Sequence, residues 1–168
     1  MTKAESFTPG PDLSRALRDA FGQFATGVTL VTTRWQGEPV AMVANSFASV
    51  SLDPPLLLWC PARAARRFAA FAEADEFAIH VLGAGQQGVI ARFARADAGF
   101  DPAGFDMTGG GVPLLDSCVA RFECATWARH DGGDHLILVG RVRRARFGRS
   151  EPPLVFHHGS YGTFAPQE

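Results

Sequence analysis

The chain has no apolar run approaching the roughly 18 residues that span a bilayer, and residues 1–12 carry no apolar segment of a secretory signal. A soluble, cytoplasmic protein with no membrane partner is the expectation. Charge of one sign is also missing: 16 Lys and Arg stand against 17 Asp and Glu, a formal net charge of -1. That balance gives no reason to expect nucleic acid and favours a small, uncharged or amphipathic partner. The local exception, Arg141, Arg143, Arg144, Arg146 and Arg149, lacks interleaved aromatics and reads as a solvated face. Cysteine is scarce and odd in number. Cys60, Cys118 and Cys124 show no framework spacing and lie in apolar stretches, as buried thiols in a reducing compartment do. Repeats, low-complexity segments and interior linkers are absent. With 168 residues and 46% hydrophobic content, one domain over residues 1–168 is expected, flexible at 1–12 and 165–168.

What is present is mostly strand. Leu13, Leu17, Ala20, Phe21 and Phe24 recur at helical spacing after Asp12, with Gly27 as the stop, and predict a short amphipathic helix. Val28 to Thr33 and Val40 to Phe47 flank the turn Gln36-Gly37 and read as a hairpin, which Asp53-Pro54-Pro55 brings to an end. Leu56 to Cys60 and Phe77 to Leu82 are further apolar strands, while Ala62 to Ala72 and Gln86 to Ala94 have helical composition. Glycine and proline make Gly99 to Pro113 an irregular segment. From Cys118 to Ala128 a period of two separates Cys118, Ala120, Phe122, Cys124 and Thr126 from a wet face of Arg121, Glu123 and Trp127. Asp131-Gly132-Gly133 joins that strand to Leu136 to Val142, and Leu154 to His157 offers a last one. About seven strands with few helices predict a barrel.

Several familiar motifs fail on context. Gly83-Ala84-Gly85-Gln86-Gln87-Gly88 matches the dinucleotide fingerprint between a predicted strand and helix. A Rossmann unit also needs a second parallel strand and an acidic residue about 20 positions on, and no strand is predicted in Phe100 to Gly111. A plain strand-to-helix turn is therefore expected. Thr108 to Pro113 has three glycines without the P-loop lysine and hydroxyl. His130, Asp131, Asp134 and His135 bracket a two-glycine turn that already accounts for their polarity, and His157-His158 on a strand face apart, so no metal site is expected. Ser46, His135 and Asp134 lack a nucleophile elbow, and adjacent strand residues point away from each other.

The most informative stretch is Asn45 to Ser51, where small amide and hydroxyl side chains crowd between apolar strands. Such groups, with accessible backbone amides, can satisfy the carbonyls and nitrogens of a flat heterocycle. They also make ordinary turns, so the residues alone leave both readings open.

A resemblance changes that balance. Phe21-Gly22-Gln23-Phe24-Ala25-Thr26-Gly27-Val28-Thr29-Leu30-Val31-Thr32-Thr33 is followed by Ala44-Asn45-Ser46-Phe47 and Ser49-Val50-Ser51-Leu52-Asp53-Pro54-Pro55-Leu56. Gly133-Asp134-His135 and Pro153-Leu154-Val155-Phe156 through Tyr161 follow in order. Together these resemble the flavin reductase-like family from about Leu17 to Gly162. The resemblance implies a mainly β, Greek-key-like FMN-binding split barrel with a few peripheral helices. It also implies a homodimer with flavin near the interface, and a reductase serving a two-component monooxygenase. By position, Ala44, Asn45, Ser46, Ser49, Val50 and Ser51 would hold the flavin ring and ribityl chain. Cys60, Ala62, Arg63, Ala65, Arg66 and Arg67 would hold the phosphate end, with Phe93 and Tyr161 also matched. His135 would lie near the nicotinamide.

The departure lies at Ala65 and Arg67, where family members commonly show serine or threonine. A lost hydrogen bond to a charged phosphate costs about 1.5–3 kcal/mol unless arginine replaces it, and Arg63, Arg66 and Arg67 stand there to do so. Three arginines equally suit the diphosphate of FAD, so FMN or FAD is left open with a lean to FMN, and NADH or NADPH is open too. Hydride transfer belongs to the cofactors, so the protein need only stack nicotinamide against flavin and exclude water. That expectation requires no acid-base dyad and gives His135, beside Asp134, the role of orienting the nicotinamide. The alternatives are a flavin carrier without rapid NAD(P)H turnover and an oxidoreductase that keeps FMN bound and acts on its own metabolite.

Overall fold

The first helix ends well before Gly27. The computed structural model describes residues 6–93 and 100–166. In it α1 (Ser14–Phe21) is closed by Gly22, whose N–H donates to the Arg18 carbonyl at 2.9 Å. Gly27 instead lies in a short strand, β1 (Thr26–Gly27), so the apolar spacing overran the helix by a turn. No residue of α1 is buried, and Leu13, Phe21 and Phe24 of its predicted apolar face stay exposed.

The hairpin is as predicted in its turn. β2 (Thr29–Trp35) passes into β3 (Glu38–Ala44) through Gln36 and Gly37 at φ 51° and 88°, the paired positive values that a two-residue hairpin needs. β3 stops at Ala44. The stretch after it is not all loop, because β4 (Ala48–Leu52) pairs with β5 (Pro55–Trp59) around Asp53-Pro54. Small hydroxyl residues disguise β4 as a turn; its one hydrogen-bonded neighbour, β5, makes it an edge strand.

The helix expected over 62–72 is only α2 (Phe68–Glu73). Pro61 and Ala62 are held elsewhere, since the Pro61 carbonyl accepts from Leu136 N–H at 3.0 Å and Ala62 bridges His135. β6 (Glu76–Val81) and α3 (Gln87–Phe93) follow as expected, with Ala94 outside the described residues. The segment expected to be irregular contains a small hairpin, β7 (Phe105–Met107) with β8 (Pro113–Leu115), which is antiparallel and so not the missing Rossmann strand. β9 (Ala120–Gly132) and β10 (His135–Phe147) form the long hairpin, and β11 (Leu154–His157) is followed by an unpredicted β12 (Ser160–Thr163).

The main sheet runs β3-β2-β6-β9-β10-β5-β4, and β1, β11 and β12 form a second. β2 is covered on both faces. Val31 packs with Trp59, Phe71, Phe77 and Leu138, whereas its neighbour Leu30 joins Leu82, Ile90, Phe93 and Leu154. Alternate residues thus seed two cores, one under α2 and one under α3. Trp59 meets Phe71 edge-to-face at 5.0 Å.

The wet face predicted for β9 is only partly wet. Arg121 is buried, paired with Asp116 at 3.1 Å and Glu123 at 3.3 Å, and Asp116 is shared with Arg146 at 2.5 Å. Charge neutralised on both sides makes that burial tolerable. On β10, Arg143, Arg144 and Arg146 are exposed, while half-buried Arg141 lies 5.6 Å from the Trp127 ring. Cys118 and Cys124 are buried, and burial pushes the Cys124 thiol up to about 12. Cys60 is only half-buried.

Candidate functional site

Ser46 joins the two segments that the resemblance assigns to flavin. Its Oγ accepts from the Cys60 N–H at 2.9 Å and donates to the Cys60 carbonyl at 3.3 Å. The exit of β3 is thereby fixed to the exit of β5, and the Ser46 hydroxyl is occupied by backbone. Ala44 is half-buried at the end of β3 and Asn45 is exposed. Ser49 and Ser51 flank a register shift at Val50, which is 49% exposed, so this hairpin presents its polar groups at the surface.

The loop after Cys60 reaches across to the β9–β10 turn. Ala62 bridges His135, and the Arg63 N–H donates to the Asp134 carbonyl at 2.8 Å. The segment then curls through the Ala65 N–H to the Ala62 carbonyl at 3.0 Å, which points Arg66 and Arg67 the other way. Arg67 Nη1 donates to the Phe93 carbonyl at 2.9 Å. Arg66 is exposed and has no ion-pair partner among the described residues. Ala65, Arg66, Arg67, Phe93 and Tyr161 line one cleft of about 510 Å³, floored by Met42, Val43 and Ile90. An adjoining hollow of about 250 Å³ shares Arg66, Arg67 and Phe93.

His135 opens β10 beside the loop. Its Nδ1 lies 2.8 Å from Asp134 Oδ1, and that bond holds the Asp134 carboxyl below the usual carboxylate range. The two neighbours meet because Asp134 sits in the turn rather than on the strand, contrary to the alternation expected of them. The structure therefore gathers the expected residues in two sets. Ser46, Cys60, Ala62, Arg63 and His135 meet at one end of loop 60–67, and Ala65, Arg66, Arg67, Phe93 and Tyr161 at the other. Asn45, in the connection from β3 to β4, and Ser49, Val50 and the half-buried Ser51, on β4, stand outside that cleft.

Met42, Val43 and Ile90 were not singled out in the sequence, because apolar floor residues look like any others on a strand or helix. Asp131 was also missed as a partner for Arg63, which it meets at 2.6 Å from 68 positions away.

Flavin fits these residues. A phosphate can meet Arg66, apolar ligand surface can lie on Met42, Val43 and Ile90, and 510 Å³ falls in the range of small-molecule sites. A larger open depression of about 790 Å³ sets Glu73, Asp75 and Glu76 against Arg34, an acidic surplus that suits a phosphate less. The glycine-rich turn at Gly83 is already filled: the Gly85 N–H meets Glu151 Oε2 at 3.3 Å, and a Cβ on Gly83 would run into the Glu151 carboxyl group. An internal carboxylate occupies the place a pyrophosphate would need.

The family model described as flavin reductase like domain matches residues 21–165. An FMN reductase (NADH) of Agrobacterium fabrum is 48% identical over 167 residues, covering 99% of this chain and 95% of that protein. The reductase subunit of a flavin-dependent monooxygenase from Rhodococcus jostii is 40% identical, covering 92% and 80%. The NADH:FAD oxidoreductase of Streptomyces globisporus superposes with a TM-score of 0.87 at 37% identity, covering 99% of this chain and 96% of that one. The seven-stranded sheet with its few flanking helices is accordingly the split barrel that the resemblance implied. On sequence and architecture together, the chain belongs to the flavin reductase-like family.

Proposed function

We propose that the chain is an NAD(P)H-dependent flavin reductase that supplies reduced flavin to a partner monooxygenase. The observation that carries this reading is loop 60–67, which faces the His135–Asp134 pair at one end and the arginine-lined cleft at the other. Arg66, with Arg67 behind it, would hold the flavin phosphate, and the backbone around Ala44, Asn45 and Ser46 with Ser49, Val50 and Ser51 would meet the ring and ribityl chain. Bound flavin supplies the hydride acceptor. The protein positions the two rings, and His135, oriented by Asp134, receives the nicotinamide carboxamide. FMN is favoured by one phosphate-facing arginine with an open side chain, and by the 48% identical FMN reductase (NADH).

A homodimer accounts for the uncovered apolar groups. Phe21, Phe24 and Leu52 are 69%, 77% and 96% exposed, and Phe147 is 94% exposed, a pattern that marks interaction surfaces. The chain would act as a single domain in the cytoplasm, consistent with thiols raised by burial and with no described helix long and apolar enough to cross a membrane.

The test is oxidation of NADH and NADPH by purified protein with and without FMN, FAD or riboflavin. Turnover that requires added flavin is the expected result. No turnover with any pair would overturn the proposal, and flavin retained through gel filtration would point to a permanently bound cofactor. Light scattering on the same sample reads the oligomeric state.

A further inference from the structure

We infer that Arg63 is a positioning residue for the hydride-transfer step, clamping the turn that carries His135, rather than a ligand of the flavin phosphate. This rests on the proposed role of His135. One residue grips both turn residues and the strand that leads into them: Arg63 Nη2 donates to Asp131 Oδ1 near the end of β9 at 2.6 Å, its Nε donates to the Gly133 carbonyl at 3.0 Å, and its N–H donates to the Asp134 carbonyl at 2.8 Å. The guanidinium lies 5.7 Å from the Phe68 ring, which fixes the side chain from below.

The turn needs such a clamp. Gly132 and Gly133 are consecutive, and Gly133 stands at φ 72°, so the segment has more backbone freedom than any other pair of residues would give it. Asp134 orients His135 from inside this turn, so drift of the turn rotates the imidazole. The planar fork of arginine holds a carboxylate and a carbonyl at once, which a lysine ammonium cannot do in fixed geometry. Recruiting Arg63 to phosphate would break both bonds, whereas Arg66 is exposed and ready in the cleft.

The experiment is stopped-flow reduction of FMN and of riboflavin by NADH, with Arg63→Ala, Arg63→Lys, Asp131→Asn and Arg63→Ala/Asp131→Asn. Positioning predicts that Arg63→Ala slows reduction at saturating NADH roughly tenfold, the scale of a small misplacement of a reacting group. Asp131→Asn should slow it in the same direction, with the double variant no slower than the worse single one. Arg63→Lys should recover part of the rate. FMN and riboflavin should be affected alike, and the KM for flavin should stay near the parent value. A phosphate role predicts the opposite: a raised KM for FMN only, riboflavin untouched and Asp131→Asn silent. Either that result or unchanged rates in Arg63→Ala overturns the inference. His135→Ala runs alongside, because a normal rate there sinks the role of His135 itself, whereas a slow His135→Ala beside a normal Arg63→Ala sinks only the clamp. Thermal unfolding of Arg63→Lys guards against a folding defect.

Discussion

Two histidines divide the molecule into an interior and a rim. His80, on β6, is fully buried: its Nδ1 lies 2.9 Å from the Leu30 carbonyl and its Nε2 accepts from the Leu115 N–H at 3.1 Å. Because Nε2 accepts, the proton sits on Nδ1 and the ring is neutral, with both nitrogens consumed by the fold. His135 also has its Nδ1 paired, to Asp134 at 2.8 Å, but its side chain is 42% exposed. The interior spends a titratable group on holding β2, β6 and β8 together. At the rim the same type of residue keeps a partly exposed ring, the one proposed to meet the nicotinamide.

The largest effect should come from the interior. His80→Ala strands the Leu30 carbonyl and the Leu115 N–H and opens a cavity, for an expected loss of about 3–5 kcal/mol in urea unfolding. If the variant unfolds at the parent's midpoint, the interior is not built around this ring.

Acid should act through the same group. Burial, ahead of the nearby Arg121 charge, pushes His80 down to about 4 from the ordinary 6.5. Between those values the unfolded chain holds a proton that the folded chain does not, so stability falls as pH drops through that window and levels off below it. The total is about 3 kcal/mol. Unfolding measured across the window should lose this component in His80→Gln.

At the rim the effect should move from stability to rate. His135→Ala is expected to slow flavin reduction roughly tenfold to hundredfold, more than it weakens flavin binding, with stability within about 0.5 kcal/mol of the parent. Stopped-flow traces that match the parent at saturating NADH would erase the distinction between the two histidines. The smallest effect is expected at Arg66→Ala, which should weaken FMN roughly tenfold by loss of a charge-assisted bond and leave riboflavin unchanged. Equal weakening of both ligands would place the phosphate elsewhere.

Strands with a clear period were legible in the sequence. Val28 to Thr33 and Phe77 to Leu82 appear in the structure within a residue or two, because β-branched and alternating apolar residues leave little choice. β4 was not legible, since Ala48 to Leu52 becomes a strand only by pairing with β5. The same holds for loop 60–67. Its alanine and arginine content favours helix, yet pairing of Pro61 and Ala62 with β10 prevents one until Phe68. Buried Arg121 broke the alternation because Asp116 and Glu123 neutralise it.

Local chemistry determined the Gln36-Gly37 hairpin and the central apolar strands, which follow from residues near one another in sequence. The quoted motifs likewise carried the family. Tertiary structure alone decided how the three arginines are used. Arg63, Arg66 and Arg67 are alike in composition, but Arg63 is claimed by Asp131, Arg67 reaches the Phe93 carbonyl and Arg66 remains exposed. Partners 68 and 26 positions away leave no trace in a local pattern, because only the folded sheet brings those hydrogen-bonding groups within reach.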